Sequence, residues 1–204
     1  MSLVETDWLE KNISSVKIID CSWHMPQTKR NGLEEYKKQH IPNSLFFDLD
    51  ANSKQKIDLP HMLVNQIEWE EIVSKMGIKN DDKIVIYDNS DVISSCRCWF
   101  NFIYFGHNPK LVHVLNGGLK KWIKENKEVT NDVTKITRSN YKSFEKKEFV
   151  KKKEQIDLNI KEQNFKVIDA RSKERFEGKV PEPRKGLRSG SIKNSFCIPF
   201  NLCL

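Results

Sequence analysis

Short apolar runs alternate along the chain with segments in which apolar residues recur every three or four positions. The first pattern is typical of buried strands and the second of helices that pack on one face. In the first 130 residues the apolar runs predict strands at 16–20, 44–50, 82–88 and 110–118. The helical spacing predicts helices at 32–42, 65–78, 94–106 and 119–126. Because strands that alternate with helices pair in parallel through crossovers, we predict an α/β fold, a parallel sheet with helices on both faces.

The later residues begin the same pattern a second time. KVIDARS resembles the earlier KIIDCSW, and GSIKNSFCIPF resembles QHIPNSLFFDL. This internal repeat, offset by about 150 residues, predicts a second copy that contains its first two strands. We therefore expect a first domain at 1–130, a polar linker at 131–147, and an incomplete second domain at 148–204 that starts with a Lys-rich helix at 148–164.

Composition narrows the class of protein. The 204 residues contain 35 Lys and Arg against 28 Asp and Glu, a net charge of +7 that favours anionic partners in general. No run approaches the length of a membrane span, and the amino terminus lacks the apolar or Arg-rich pattern of a targeting signal. Five scattered cysteines, an odd number, favour reduced thiols. We expect a cytoplasmic protein that does not insert into membranes.

Ligands of parallel α/β sheets bind beyond the carboxyl ends of the strands. The loop that follows IVIYD leads into a helix, so its backbone N–H groups and the helix dipole would stabilise a thiolate at the first loop position. Asp88 occupies that position. A carboxylate is a poor sulfur carrier, so we interpret the first domain as a scaffold.

The chain resembles the tandem-domain rhodanese family, most closely the 3-mercaptopyruvate sulfurtransferases. The resemblance is carried by DCSWHMP, HIPNSLFFDLD, LPHML, SSCRCWF, LNGGLKKW and VIDARSKERFEGKVPEPRKGLRSG. It implies two rhodanese domains, of which the second carries the nucleophile in a Cys-Gly-Ser-Gly loop. It also implies a reaction without a cofactor: sulfur moves from 3-mercaptopyruvate or thiosulfate to that Cys as a persulfide, and then to a thiol or cyanide.

The resemblance assigns roles to four residues. Arg175 and Arg184 match two arginines that bind the substrate carboxylate and keto oxygen, a geometry that suits a planar guanidinium. Asp50 and His61 match an acid–base pair that acts with a loop Ser, by the logic of a catalytic triad. Two alternatives stay open: the arginines are solvated surface residues, and His61 is a loop histidine that bonds to a backbone carbonyl.

The chain also departs from the family pattern. It contains no Cys-Gly-Ser-Gly segment, and GSIKN replaces the usual Gly-His-Ile-Pro-Gly, which we expect to weaken a turn. Cys203 follows CIPF in what we interpret as a strand, without the loop or helix start that would activate a nucleophile. We therefore expect a chain truncated before the catalytic Cys, with poor order or self-association at 150–204. Three hypotheses remain: a sulfurtransferase, a non-catalytic rhodanese-like binding module, and an inactive remnant.

Other sites are disfavoured by the sequence. Cys96 and Cys98 would point to opposite sides of a helix and chelate a metal badly. KKEFVKKK (146–153) mixes lysines with an acid and apolar residues at helical spacing, as in a solvated helix face, and lacks a base-reading motif. We therefore expect small-molecule sulfur donors and thiol or cyanide acceptors as partners, and no nucleic acid, metal or cofactor.

Overall fold

A parallel five-stranded sheet organises the first of two units, Met1–Lys147 and Glu148–Leu204, into which the chain divides. The computed structural model describes residues 2–183 and 186–203. The strands lie side by side in the order β1-β5-β4-β2-β3, and every neighbouring pair is parallel. Their bounds are β1 Leu3–Val4, β2 Lys17–Asp20, β3 Ser44–Phe46, β4 Ile84–Tyr87 and β5 Val112–Leu115.

Helices cover both faces of this sheet, which confirms the predicted α/β fold. Neighbouring residues of β2 face opposite ways: Ile19 packs in a cluster that contains Trp69, and Ile18 packs in a cluster that contains Trp122. All four residues of the central strand β4 are buried, as expected for a strand covered on both sides. The helices are α1 Thr6–Asn12, α2 Gly32–Lys38, α3 Gln66–Lys75, α4 Ser95–Tyr104 and α5 Gly118–Lys124, with a 3-10 turn at Pro26–Thr28.

The polar segment 131–147 packs against the first unit. Thr134 donates its hydroxyl to the carbonyl oxygen of Ser44 over 2.8 Å. Tyr141 is 1% exposed and belongs to the same hydrophobic cluster as Trp69. Its hydroxyl lies 3.1 Å from Nδ1 of the buried His107. Side-chain burial of this kind makes the segment part of the unit on which it lies.

The second unit contains a pair of parallel strands. A 3-10 turn at Lys147–Phe149 precedes the strand pair in the chain, and a second 3-10 turn, Phe200–Cys203, ends the described residues. The prediction that Cys203 lies in a strand was therefore wrong. The helices and strands of this unit are α6 Lys153–Glu162, β6 Val167–Asp169, α7 Lys173–Phe176 and β7 Ser195–Cys197.

The strand pair of the second unit has the same register as β2 and β3. Asp20 lies opposite Phe46, and Asp169 lies opposite Cys197, at the carboxyl ends of the two pairs. The turns that precede β3 and β7 also correspond. Asn43 and Asn194 have φ values of 64° and 66°, a left-handed conformation that Asn tolerates better than most residues. GSIKN therefore forms the same turn as IPN in the first unit.

Some element bounds differ from the sequence predictions. The helix predicted at 32–42 ends at Lys38, and the helix predicted at 148–164 begins at Lys153. Strand β1 and helix α7 were not predicted, because two and four residues are too few to show a period. Helix α1, with seven residues, was not predicted either. Across residues 2–183 and 186–203, no helix has the length and apolar content needed to cross a membrane.

Candidate functional site

Loops that follow β2, β3 and β4 are joined by side chains at the carboxyl edge of the first unit's sheet. Ser94, at the start of α4, donates its hydroxyl to the carbonyl oxygen of Cys21 over 2.6 Å. The same hydroxyl accepts the backbone N–H of Trp23 over 3.1 Å. The loops after β2 and β4 are thereby fixed to each other at the edge where ligands of such sheets bind.

Asp50 and His61, which the sequence paired only by resemblance, are in direct contact. Nε2 of His61 lies 2.7 Å from Oδ1 of Asp50. A carboxylate can only accept, so Nε2 carries the proton of this bond and Nδ1 is the nitrogen that can exchange a proton with a ligand. The side chain of His61 is 22% exposed and that of Asp50 68% exposed. The pair therefore has the arrangement of an oriented, solvent-accessible base.

Trp23 completes this pair from the loop after β2. Its indole Nε1 donates to Oδ2 of Asp50 over 2.9 Å, so the two oxygens of the carboxylate have different donors. Its ring also meets the ring of His61 edge-on, with centroids 4.8 Å apart. Trp23 thus restrains both partners. This role of Trp23 was not predicted, although the residue lies within the DCSWHMP segment.

Arg97 holds the backbone of the same loop. Its Nη2 donates to the carbonyl oxygen of His61, a residue with a φ of 54°. A non-glycine residue in this region is uncommon and needs support from its surroundings. Arg97 supplies that support from α4. This role of Arg97 was not predicted either, since 36 residues separate the two partners.

The first loop position after β4 holds a buried carboxylate. Asp88 is 8% exposed, and its two oxygens accept the backbone N–H groups of Ser90, over 3.1 Å, and Ser95, over 2.7 Å. Helix α5 contacts the same residue, because Leu119 donates its N–H to the Asp88 carbonyl oxygen over 2.9 Å. A Cβ on Gly118 would lie 2.4 Å from that oxygen, which explains the glycine. Two amide donors of this loop are thus occupied by the protein's own carboxylate.

A second group of charged residues joins the loops that follow β2 and β4. Arg30 donates two hydrogen bonds of 2.7 Å to the carboxylate of Glu35 and a third, of 3.1 Å, to the carbonyl oxygen of Asn89. Glu35 also accepts from the Asn89 amide and lies 3.1 Å from Nε2 of His24. The Arg30 guanidinium holds the pKa of Glu35 below its usual range. Glu35 therefore stays ionised and fixes the loops after β2 and β4.

The cysteines of the first unit do not have the surroundings of an activated thiol. Cys21 and Cys98 are fully buried, and burial, with the Cys98 thiol beside it, raises the pKa of Cys21. Cys96 is exposed, and partial burial of its thiol together with the nearby Asp88 raises its pKa as well. A raised pKa keeps a thiol protonated at neutral pH and lowers its reactivity.

Arg175, the substrate-binding candidate of the second unit, lies in α7 and is paired with a carboxylate. Its Nη2 donates to Oε2 of Glu182, and its Nε lies 3.4 Å from Oε1. The Arg175 guanidinium lowers the pKa of Glu182. The side chain of Arg175 is 32% exposed, so part of the guanidinium remains accessible. Arg184, the other candidate, lies outside the described residues.

The chain is similar to known proteins in both sequence and structure. Residues 5–125 match the rhodanese-like domain family. The chain is 39% identical over 221 residues to thiosulfate/3-mercaptopyruvate sulfurtransferase 1, mitochondrial, of Arabidopsis thaliana, and 32% identical over 207 residues to 3-mercaptopyruvate sulfurtransferase of Mus musculus. These alignments cover 97% and 98% of the chain, but 58% of the plant protein and 69% of the mouse protein.

The fold is also similar to solved structures. The crystal structure of the 3-mercaptopyruvate sulfotransferase SseA of Escherichia coli superposes with a TM-score of 0.87 at 29% identity. The superposition covers 98% of this chain and 75% of SseA. The Tum1 protein of Saccharomyces cerevisiae gives a TM-score of 0.86 at 28% identity, over 98% of this chain and 70% of the other.

Proposed function

The chain belongs to the family of rhodanese-like domains, and from this premise we propose that its residues form part of a sulfurtransferase that takes sulfur from 3-mercaptopyruvate or thiosulfate. The observation that carries the proposal is the pair of Asp50 and His61, 2.7 Å apart at the ligand-binding edge of the sheet. Nothing in the packing of the core requires a histidine and a partly exposed carboxylate to be held there by an indole donor. An acid–base function accounts for it, because a general base must be held within hydrogen-bond reach of the proton that it moves.

The proposed reaction has two steps. A cysteine thiolate attacks the sulfur of 3-mercaptopyruvate, the bond between sulfur and carbon breaks, and the electron pair leaves with the carbon as the enolate of pyruvate. The enolate takes up a proton and becomes pyruvate, while the cysteine holds the sulfur as a persulfide. A thiolate acceptor then attacks the outer sulfur, forms its own persulfide and releases the cysteine as a thiolate; with cyanide the product is thiocyanate. Neither step requires an external oxidant or a cofactor.

Within this reaction we assign His61 to the movement of the proton and Asp50 to the orientation of the imidazole. An Asp that accepts from one imidazole nitrogen fixes the tautomer and stabilises the ring when it gains a proton. Arg175 and Arg184 are proposed to bind the carboxylate and keto oxygen of the donor. A guanidinium suits this task because it donates two parallel hydrogen bonds to one carboxylate.

We assign no residue of this chain as the nucleophile. The sequence contains no Cys-Gly-Ser-Gly segment. The corresponding position of the first unit holds Asp88, whose carboxylate takes two of the N–H groups that would stabilise a thiolate. This observation favours a second candidate function for the first unit, that of a non-catalytic rhodanese-like module. The two functions are compatible, because a scaffold can supply a proton relay to chemistry carried elsewhere.

The proposal is tested by assaying two polypeptides for persulfide formation and pyruvate release. The first is the 204-residue chain, and the second is a chimera in which a relative's segment with Cys-Gly-Ser-Gly follows residue 204. We expect turnover by the chimera, loss of most of that turnover when His61 is changed to Asn, and no persulfide on the chain alone by mass spectrometry. Failure of the chimera while the chain still binds pyruvate would favour the non-catalytic module. A catalytic persulfide on any of the five native cysteines would contradict our assignment of the nucleophile.

The proposed compartment is the cytoplasm, because the cysteines at positions 21, 96, 98 and 197 are all free thiols. One plant relative is named as mitochondrial. Cell fractionation with an antibody against the chain distinguishes the two compartments, since recovery in the mitochondrial fraction would overturn the cytoplasmic assignment.

A further inference from the structure

Glu182 connects two arginines in the second unit. Its Oε1 accepts from Nη1 of Arg171 over 2.6 Å, and its Oε2 accepts from Nη2 of Arg175. Only 4% of the Glu182 side chain is exposed, whereas the two arginine side chains are 27% and 32% exposed. A carboxylate that is this well covered keeps one position, because moving it would leave a charge without its partners.

Arg171 is itself fixed to the end of a strand. Asp169 is the last residue of β6, and its carboxylate accepts the backbone N–H of Arg171 over 2.9 Å and Nη2 of the same residue over 2.5 Å. Nη2 also donates to the carbonyl oxygen of Gly190 over 2.7 Å. The Arg171 guanidinium lowers the pKa of Asp169, so the carboxylate stays charged. The contacts therefore run without a break from β6 through Asp169, Arg171 and Glu182 to Arg175.

This chain of contacts determines which edge of Arg175 remains available. A guanidinium has five N–H donors in one plane. Nε and Nη2 of Arg175 are directed to Glu182, and its Nη1 makes no hydrogen bond to any other described residue. The free end of the guanidinium can then donate from Nη1 and from the second hydrogen of Nη2 to one incoming carboxylate. Helix α7 has four residues, which is too short to hold a long side chain in place by itself.

We infer that Glu182 and Arg171 are positioning residues, which orient Arg175 so that its Nη1 end meets the carboxylate of the sulfur donor. The inference rests on the proposed function, because it adds a supporting layer to the same binding site. It differs from a competing interpretation in which Glu182 occupies the place of the substrate and must be displaced. A positioning carboxylate strengthens donor binding, whereas a competing one weakens it, so the two predict opposite signs.

The experiment measures pyruvate binding to the 204-residue chain by calorimetry and follows the side-chain Nε–H resonance of Arg175 by NMR. Glu182→Gln removes the charge and keeps the shape, and we expect it to weaken pyruvate binding about tenfold and to broaden or shift the Arg175 resonance. Glu182→Asp keeps the charge and should restore part of both signals. Glu177→Gln is the matched control, because it removes the same charge from a carboxylate that pairs with Lys179 instead. It should leave both signals unchanged.

The outcomes separate the inference from the function on which it rests. Tighter pyruvate binding by Glu182→Gln would overturn the inference, because Glu182 would then compete with the donor carboxylate. Unchanged pyruvate binding would also overturn it and would leave Glu182 with a structural role. If the wild-type chain bound neither pyruvate nor thiosulfate while the Arg175 resonance still depended on Glu182, the contacts would stand and the proposed function would have failed. If Glu182→Gln did not fold, as judged by circular dichroism, a loss of pyruvate affinity in Glu182→Asp would support the inference, and wild-type affinity would overturn it.

Discussion

Trp23 donates its indole N–H to the carboxylate of Asp50 over 2.9 Å, although 27 residues separate them in the chain. The other oxygen of that carboxylate accepts from His61 over 2.7 Å. One carboxylate on a loop is thereby held from two sides. This arrangement stabilises a single orientation of the imidazole, which is the property that a proton relay needs.

Replacing Trp23 by Phe should slow pyruvate release by the chimera about fivefold, because it removes a hydrogen bond to a charged group and leaves the ring contact with His61 in place. The measurement is steady-state turnover with 3-mercaptopyruvate. Trp99→Phe serves as the control, since it also deletes an indole donor, one that bonds to the carbonyl oxygen of Val112. Equal losses in the two variants would show that the effect is on packing and not on Asp50.

His107 should make the first unit sensitive to acid. Burial lowers its pKa from the ordinary value of 6.5, and its two ring nitrogens face Tyr141 and the carbonyl oxygen of Asp82. The unfolded chain therefore binds a proton more readily, so the stability that is present above pH 6.5 is lost as pH falls through the lowered pKa. Denaturant unfolding at a series of pH values should show a free energy of unfolding that declines as pH falls from 6.5 towards the lowered pKa. His107→Gln should flatten this decline, and an identical slope in the variant would exclude His107 as the cause.

Asp20 should act in the opposite direction. It is 1% exposed at the end of β2, and burial raises its pKa from 3.8 to about 6. A carboxyl whose pKa is raised on folding contributes stability that is fully present below pH 3.8 and is lost as pH rises through about 6. Asp20→Asn keeps an acceptor for the N–H of Ser22 and cannot ionise. Relative to wild type, the variant should therefore gain stability between pH 4 and pH 7 in the same unfolding series, by ~1–3 kcal/mol. A constant difference across that range would contradict the raised pKa.

The strand pair of the second unit should promote self-association of the 204-residue chain. Ile168 and Phe196 lie opposite each other in the register of β6 and β7 and are 58% and 54% exposed. Their counterparts in the first unit, Ile19 and Leu45, are 0% and 6% exposed. Large exposed apolar pairs favour association. Sedimentation velocity should show concentration-dependent oligomers.

A substitution in this pair checks the surface responsible. Phe196→Ser should shift the sedimentation profile towards the monomer. Leu158→Ser, on α6, changes a side chain of equal exposure, 54%, and should leave the profile as it is. A wild-type chain that is monomeric at high concentration would contradict the prediction.

Periodicity alone located the longer elements of the fold. The run IVIY predicted β4 because a strand covered on both faces needs four consecutive buried side chains, and it has them. The helix at Gln66–Lys75 was predicted to within one residue at its start and three at its end, because its apolar stripe and the following Gly77 are local signals. Short elements such as Leu3–Val4 carry no such signal and are held by pairing with a distant strand.

Only part of the candidate site could be predicted from the sequence. Asp50 and His61 were named by resemblance, and the structure brings them together. Trp23 and Arg97, which restrain this pair, were not assigned, because their contacts span 27 and 36 residues and leave no pattern in the neighbouring sequence. Glu182 was also missed, since a glutamate in a charged segment resembles any solvated residue until its 4% exposure is known.

The sequence by itself determined the alternation of strands and helices, the similarity between two pairs of segments about 150 residues apart, and the presence of Asp88 directly after the run IVIY. These are properties of neighbouring residues, and local backbone preferences and hydrophobic spacing express them directly. Only the tertiary structure decided which charged side chains are buried, which donors each carboxylate uses, and which edge of Arg175 bonds to no other described residue. Those properties depend on loops that the sheet brings together from distant parts of the chain, where burial and hydrogen-bond geometry select one partner among many.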